Sequence, residues 1–195
     1  TEWLVPHFEK MLYDNALLIA VLCDAYQLTK HSFYKDIIDQ TIGFVKRELM
    51  SEEWGFFSAL DADSEGEEGK YYVWNKQEVN DLLGDAAALF CEYYDITEKG
   101  NWEGRNILNI PKPSEAFAPD KQINQAELSN ILSGCGSVLL RERNKRTRPG
   151  LDDKILLGWN ALMNTACSKA YAATGNTAWK ELAIKNLEFL LAKFS

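Results

Sequence analysis

Apolar residues recur every three or four positions through most of the chain, which is the periodicity of helices that bury one face. The pattern predicts a helix over about 15–29, capped by Asp14, and a second over 33–50. The link between them is so short that the two must form an antiparallel hairpin. Further helices are predicted at about 75–84, 85–94, 124–144, 155–174 and 177–193. Gly175 suits the end of one of these helices.

The pattern changes between residues 54 and 74. Two aromatic runs, 55–59 and 70–74, resemble short strands that close an acidic loop over 61–69. Residues 95–123 contain three prolines and few periodic apolar positions, which indicates a long irregular segment. The predicted fold class is therefore all-α, with helical hairpins and a small β-hairpin insertion.

Composition limits the class of protein. A chain of 195 residues with 46% hydrophobic residues is long enough for one core, so a single domain over 1–195 is expected. The net charge of −8 argues against general nucleic-acid binding. No signal peptide and no apolar run near ~20 residues is visible, so no membrane contact is predicted. The basic run 141–148 is interpreted as a solvated helix end, with a site for phosphate or an acidic partner as the alternative.

The cysteines show no redox or metal motif. The four cysteines, at 23, 91, 135 and 167, form no Cys-x-x-Cys pair, and there are only two histidines. Neither a metal nor a cofactor is predicted, and a redox function cannot reside in these residues. Buried free cysteines are expected in a reducing compartment, which indicates a cytoplasmic location.

Carboxylates on the acidic loop are the first candidate site. Asp61 and Asp63 can orient sugar hydroxyls, bind a cation or divide into acid and base. The spacing of an EF-hand calcium loop fits in part, but Tyr72 stands where the bidentate glutamate is needed. The structural alternative is a solvated loop with local turn bonds, which is favoured for Glu65, Glu67 and Glu68.

Further candidates lie at both ends of the chain. His7 can act as a general acid or base, or can be a structural histidine near a helix start. His31 is expected on the surface. Asp153 is a second catalytic candidate, although it can equally cap the helix predicted from 155. The residues near it that can line the same site are Arg148, Asp152, Trp159 and Asn160.

Aromatic side chains complete the candidate set. Trp102, Glu103 and Arg105 combine an indole, a carboxylate and a guanidinium, as in a carbohydrate subsite, although an ion pair that pins the loop explains them equally. Trp54 and Tyr72 can line a cavity, although packing is the commoner role of such residues.

Four segments carry a family resemblance: 3–16, 55–74, 101–108 and 146–160. They include Trp3-Leu-Val-Pro-His-Phe-Glu-Lys-Met-Leu-Tyr-Asp-Asn-Ala16, Gly55-Phe-Phe-Ser-Ala-Leu-Asp-Ala-Asp-Ser64, Asn101-Trp-Glu-Gly-Arg-Asn-Ile-Leu108 and Arg146-Thr-Arg-Pro-Gly-Leu-Asp-Asp-Lys154. Together they resemble the spermatogenesis-associated protein 20 family of thioredoxin-domain proteins.

The resemblance implies a thioredoxin-like domain followed by an (α/α)6 toroid, similar to N-acylglucosamine 2-epimerase and the six-hairpin glycosidases. The chain is expected to be an incomplete arc of that toroid without the thioredoxin-like domain. Apolar helix faces are expected at its edges, which favours a homodimer. Gly150 departs from the family, in which a histidine precedes Leu-Asp-Asp-Lys.

Two functions are compatible with these features. The first is binding or transformation of a small carbohydrate in the toroid cavity, by an epimerase-, isomerase- or glycosidase-like mechanism. The second is a non-catalytic scaffold or peptide-binding module that partners the thioredoxin-like domain. Fold similarity alone does not decide between them, and the chain by itself is expected to be inactive.

Overall fold

The computed structural model describes residues 5–194, which form two compact units. The hairpin unit contains 9–62 and 150–194, and the inserted unit contains 5–8 and 63–149. In chain order the elements are β1 (Lys10–Met11), α1 (Leu12–Thr29), α2 (Ser32–Glu48), β2 (Ala59–Leu60), β3 (Asp63–Ser64), β4 (Glu67–Glu68), α3 (Lys76–Leu83), a 3-10 turn (Gly84–Ala86), α4 (Ala87–Tyr93), α5 (Ser114–Asp120), α6 (Gln125–Arg143), β5 (Leu151–Asp152), α7 (Leu157–Thr174) and α8 (Thr177–Phe194). A single domain over the whole chain stays a prediction.

Two helical hairpins build the hairpin unit. α1 packs against α2 and α7, and α7 packs against α8. Lys30 ends α1 in the left-handed conformation, and the imidazole Nδ1 of His31 accepts the amide of Phe33 to start α2. Gly175 ends α7 in the same left-handed conformation. The predicted fold class of helical hairpins with a small β insertion is confirmed; closure into a toroid stays a prediction.

Helix α1 and α7 start without the predicted aspartate caps. Asp14 lies inside the first turn of α1, whose N-cap is Met11, and α7 follows Leu156, which provides no side-chain cap. The N-cap roles predicted for Asp14 and Asp153 are therefore wrong. Asn75 is the N-cap of α3, and its side chain accepts the amide of Glu78 at 2.7 Å.

A short three-stranded sheet crosses the hairpin unit. β2 lies between β1 and β5, and both pairings are antiparallel. β1 and β5 were not predicted, because each has only two residues. The core of the hairpin unit is mainly aliphatic, and its central side chains are completely buried. Its largest completely buried side chains include Leu12, Ile19, Ile38, Ile42, Leu49, Phe56 and Met163.

The strands of the acidic loop differ from the prediction. The hairpin lies inside the loop, where β3 pairs with β4 through the turn Glu65–Gly66. Both turn residues have positive φ, as a two-residue type I′ turn requires. Residues 70–72 of the aromatic run form a turn rather than the predicted strand, and the amide of Val73 bonds the Gly69 carbonyl. Trp74 forms only an isolated bridge, to Asn106.

The inserted unit is packed around two small aromatic clusters. Phe90 and Leu139 belong to the first, and Phe117 and Leu128 to the second. The segment 95–123 is irregular, as predicted, except for the short helix α5. The described helices include none with the length and apolarity that crossing a membrane needs.

Candidate functional site

A tight turn presents the strongest candidate residues of the inserted unit. Trp102 and Arg105 exchange backbone hydrogen bonds at 3.0 and 2.8 Å across Glu103 and Gly104. Both of these central residues have positive φ, so the turn is of type I′. The pairing directs the indole and the guanidinium to the same side and leaves Glu103 exposed at the tip.

Two asparagines hold this turn in place. The side chain of Asn101 bonds both the amide and the carbonyl of Ile107 at 2.8 Å. Asn106 is buried, and its side chain bonds Thr97 and the carbonyl of Trp74. The side-chain amides of Asn101 and Asn106 thus order a segment that lacks regular secondary structure, by making the hydrogen bonds that a neighbouring strand would otherwise make.

Aromatic rings support Trp102 from behind. Phe8 is 2% exposed, and its ring centroid lies 5.1 Å from that of Trp102 and 6.1 Å from that of Tyr72. Gly69 permits this contact, because a Cβ there would lie 2.7 Å from the Phe8 ring. Burial raises the pKa of the Tyr72 phenol to about 12, so the ring is neutral at physiological pH.

A polar cleft of about 290 Å³ opens beside this turn. Its lining consists of Glu67, Glu68, Lys70, Val73, Trp102, Glu103 and Arg105. Lys70 Nζ donates to Glu67 at 2.8 Å, and this bond holds the pKa of the Glu67 carboxyl below its usual range. The cleft combines one indole with three carboxylates and two cations, and we call it the Trp102 cleft.

A second cavity of about 380 Å³ shares Lys70 and Arg105 with the Trp102 cleft. Its other lining residues are Ser64, Glu65, Tyr71, Glu78, Lys145, Arg146 and Thr147. We call it the cationic cavity, because four of its side chains are cations and two are carboxylates. Lys70 was not singled out from the sequence, whereas Lys145 lies in the basic run 141–148, for which a site for phosphate or an acidic partner was the alternative interpretation.

Arg146 forms a fixed wall of the cationic cavity. Its guanidinium donates to the carbonyls of Tyr71 and Val73 and to Glu78 Oε1, at 2.8–3.0 Å. It also covers the Trp74 ring at 3.9 Å. The interpretation of 141–148 as a solvated helix end is therefore wrong for this residue.

The four catalytic candidates are divided between the units. His7 and Asp63 are exposed residues of the inserted unit, and Asp61 and Asp153 are exposed residues of the hairpin unit. Asp63 lies on β3, opposite Glu68 on β4. Arg148 is an exposed residue of the inserted unit. Their catalytic and binding roles stay predictions.

The register of the small sheet relates Asp61 to Asp152. Leu60 lies opposite Leu151, and the amide of Asp61 bonds the carbonyl of Gly150 at 2.8 Å. Asp61 and Asp152 are therefore diagonal neighbours on one face, at about 7–8 Å. The alternation of strand residues directs Asp153 to the other face. A hydrogen bond from Lys154 holds the pKa of the Asp152 carboxyl below its usual range.

The remaining candidates of the hairpin unit contact its core. Asn160 is fully buried, and its side chain bonds both the amide and the carbonyl of Phe56, at 2.8 and 2.9 Å. Trp159 packs its ring 4.8 Å from that of Tyr13. Trp54 has Lys185 Nζ at 3.9 Å over its ring. These contacts give each of the three a structural task.

Metal ligation has no clear candidate: across residues 5–194, no three His, Cys, Asp or Glu side chains are grouped to hold an ion.

Similar proteins cover almost the whole chain. An uncharacterised protein of Caenorhabditis elegans is 33% identical over 216 aligned residues, which span 97% of this chain and 30% of that protein. Spermatogenesis-associated protein 20 of Homo sapiens is 33% identical, and that of Mus musculus 32%, each over 97% of this chain and 27% of the relative. The chain is homologous to one segment of the spermatogenesis-associated protein 20 family.

The chain spans less than a third of the length of these spermatogenesis-associated protein 20 relatives. No family model matches it. A crystal structure of D-mannose isomerase aligns with 93% of this chain and 40% of that protein, at 15% identity and a TM-score of 0.30. That similarity is too low to indicate a shared fold or ligand.

Gly150 is the position at which the resemblance to the spermatogenesis-associated protein 20 family implies a histidine. A Cβ at this position would lie 3.8 Å from Cβ and 3.9 Å from Oδ2 of Asp61, at ordinary contact distance. A side chain at 150 would therefore extend from the sheet beside the Asp61 carboxylate. Because glycine has no side chain, position 150 contributes no imidazole beside the Asp61 carboxylate.

Proposed function

We propose that the chain binds a sugar-like ligand, with the Trp102 cleft as its binding site. One observation carries the proposal: an indole, a guanidinium and exposed carboxylates are gathered around one cleft by a rigid turn. A pyranose has apolar C–H faces and a rim of hydroxyl groups. The indole packs against the faces, while the carboxylates and the guanidinium bond the hydroxyls.

The support behind Trp102 favours a preorganised site. Phe8, which itself stacks on Tyr72, fixes the indole, and Asn101 and Asn106 fix the backbone of the turn. A ligand then pays little conformational entropy to order these groups. Tyr72 acts in this proposal as a support for the binding residues.

Transformation of the ligand would need acid and base groups. We assign these roles to His7 and Asp63, which belong to the inserted unit, as the Trp102 cleft does. Asp61 and Asp153 are left out of this proposal, because they belong to the hairpin unit and strand alternation directs them to opposite faces of its sheet. Arg148, also in the inserted unit, serves in this proposal as a group that orients hydroxyls. Asp152, Trp54 and Trp159 belong to the hairpin unit and are left out of the ligand set. Asn160 is left out of the ligand set, because its amide already bonds Phe56.

A titration with mono- and disaccharides tests the binding proposal. Calorimetry or ligand-observed NMR should detect binding, and Glu103→Gln should weaken it about tenfold or more, since a hydrogen bond to a charged group is lost. Trp102→Phe should weaken it less, because a smaller ring remains. Glu98→Gln is the matched control: Glu98 is exposed and pairs with Lys76 outside the cleft. Equal affinities for E103Q and E98Q would refute the site.

A second function, a scaffold or peptide-binding module that partners a thioredoxin-like domain, is favoured by a different feature. α8 exposes Ile184, Leu187, Leu191 and Phe194 along one stripe, each between 45% and 59% exposed. A stripe of this kind is typical of a helix that packs against another protein surface. Failure of every sugar to bind would favour this function.

The four cysteines are free and buried, which suits a reducing environment. On this ground we propose a cytoplasmic location for the protein.

A further inference from the structure

The cationic cavity is the feature that the proposed function leaves unexplained. The whole chain carries a net charge of −8, yet this cavity is lined by Lys70, Arg105, Lys145 and Arg146 against Glu65 and Glu78. A local excess of cations on an acidic protein attracts anions to one place. The cavity is also concave and polar rather than a flat charged surface.

Its cations are available to a ligand, although each has a carboxylate partner. Lys145 pairs with Glu142 at 2.6 Å, but its side chain is 71% exposed. Arg105 Nη2 lies 3.9 Å from Glu67 Oε2, at the limit of an ion pair. Exposed pairs of this kind contribute little to stability, so an incoming oxyanion competes with them at small cost. Arg146 is fixed in the wall and adds its charge without moving.

The geometry joins this cavity to the proposed sugar site. Lys70 and Arg105 line both spaces, so the two spaces are neighbours that meet at these two side chains. Each space alone is near the lower end of the range for small-molecule sites, about 300–1,000 Å³. Together they suit a ligand with a neutral ring and an anionic substituent.

We infer that the ligand of the Trp102 cleft is an acidic sugar, whose phosphate ester or carboxylate binds in the cationic cavity beside Lys70, Arg105 and Lys145. The inference rests on the proposed function for the neutral part of the ligand. The shared chemistry is an oxyanion recognised by lysine and arginine donors.

Calorimetric titration of the 195-residue chain with four probes tests the inference: glucose 6-phosphate, glucuronate, glucose and inorganic phosphate. We expect one of the acidic sugars to bind about tenfold or more tightly than glucose, and the difference to fall as salt is added. A preference for glucose 6-phosphate identifies a phosphate ester as the source, and a preference for glucuronate identifies a carboxylate.

Variants of the basic run locate the anion. Lys145→Gln should reduce the affinity for the preferred acidic sugar about tenfold, which is the size of one charge-assisted bond. Arg141→Gln is the control, because it removes one charge from the same basic run outside the cavity lining. Affinities for the preferred acidic sugar that are equal in the two variants would overturn the inference.

The two proposals fail in different ways. If glucose binds with an affinity that depends on Glu103 and acidic sugars bind no better, the acidic-sugar inference is overturned and the sugar site stands. If inorganic phosphate binds with an affinity that depends on Lys145 and no sugar binds, the cationic cavity is an anion site but the sugar proposal is refuted, and the acidic-sugar inference with it.

Discussion

Arg146 connects three parts of the inserted unit through one side chain. It bonds two carbonyls of the turn 71–73, pairs with Glu78 on α3, and covers the Trp74 ring. Its side chain is only 22% exposed and that of Glu78 32%. Removing it would leave two carbonyls and a carboxylate with unmet hydrogen bonds.

Arg146→Ala should therefore lower the free energy of unfolding by about 3 kcal/mol, the cost of several bonds to a charged group. Arg146→Lys should recover part of this loss, since an ammonium cannot reproduce the planar fork. Urea denaturation measures both. Arg141→Ala, at an exposed position near the end of α6, should change stability by less than about 0.5 kcal/mol.

Burial also determines the reactivity of the cysteine thiols. Desolvation raises the pKa of Cys167 to about 12 and that of Cys23 to about 11. Because the pKa values are raised, these thiols are neutral at pH 8, and the reactive thiolate appears only as the pH rises toward these values.

We expect a disulfide reagent at pH 8 to label none of the four cysteines of the folded chain at an appreciable rate. All four should react once guanidinium unfolds the protein. The reaction is followed by absorbance. Rapid labelling of Cys23 or Cys167 in the folded state would show that the hairpin unit opens locally.

At the scale of residues, the sequence predicted which side chains are buried better than it predicted which side chains lie side by side in the fold. Buried cysteines at 23 and 167 follow from their apolar helical neighbours, and the structure confirms them. The grouping of Trp102, Glu103 and Arg105 was visible because they are adjacent in sequence. Lys70 was not predictable, because the fold brings it beside Arg105 only through two separate turns.

Two tight turns act as the structural elements of the candidate site. Glu65–Gly66 and Glu103–Gly104 have the same pair of positive φ angles, and each reverses the chain in two residues. Gly69 has a different task, because it makes room for the Phe8 ring. Gly66 and Gly69 both have positive φ but differ in their surroundings, so substitutions at the two positions separate the cost of backbone strain from the cost of a steric clash.

Gly69→Ala and Gly66→Ala should therefore lower the stability of the protein by different amounts. Both residues have positive φ, so each substitution costs about 1 kcal/mol of backbone strain. At Gly66 a Cβ meets no atom within 4 Å, whereas at Gly69 it overlaps the Phe8 ring. We expect G69A to cost about 1–3 kcal/mol more and to weaken sugar binding through Trp102. Equal thermal shifts would contradict this account of Phe8.

Helices were predicted well at this scale and strands poorly. Long amphipathic periods identify α1, α2, α6, α7 and α8, with boundaries within a few residues. Each strand has only two residues, which is too short for an alternating pattern to be recognised. The aromatic run 70–74 was mistaken for a strand, because β-propensity reflects packing as much as backbone preference.

The hairpin unit leaves apolar surface uncovered. α8 buries one face against α7, and the stripe from Ile184 to Phe194 continues beyond that face into solvent. The resemblance predicted apolar faces of this kind and a homodimer. A stable dimer buries about 1,200–2,000 Å², which is more than four side chains supply. A weak dimer is therefore expected.

Sedimentation at increasing concentration should show a monomer that associates, and Leu187→Glu should abolish the association by placing a charge in the stripe. Leu162→Glu, at an exposed position on α7 outside the stripe, is the matched control. A mass that does not depend on concentration, or equal effects of both variants, would rule out a second copy on this face.

The pairing of β2 with β5 has a consequence for how the chain can be divided. Residues 62–149 separate Asp61 from Gly150 in sequence, yet the two are bonded neighbours in one sheet. The inserted segment 62–149 therefore leaves the sheet and rejoins it at one point, where β2 pairs with β5, as an inserted domain does in a host protein. A shortened polypeptide, with 9–61 joined to 150–194 by Asn-Gly, should retain helical circular dichroism and melt cooperatively. The junction of residues 61 and 150 would then be a place where inserted binding domains can be exchanged without redesigning the helices.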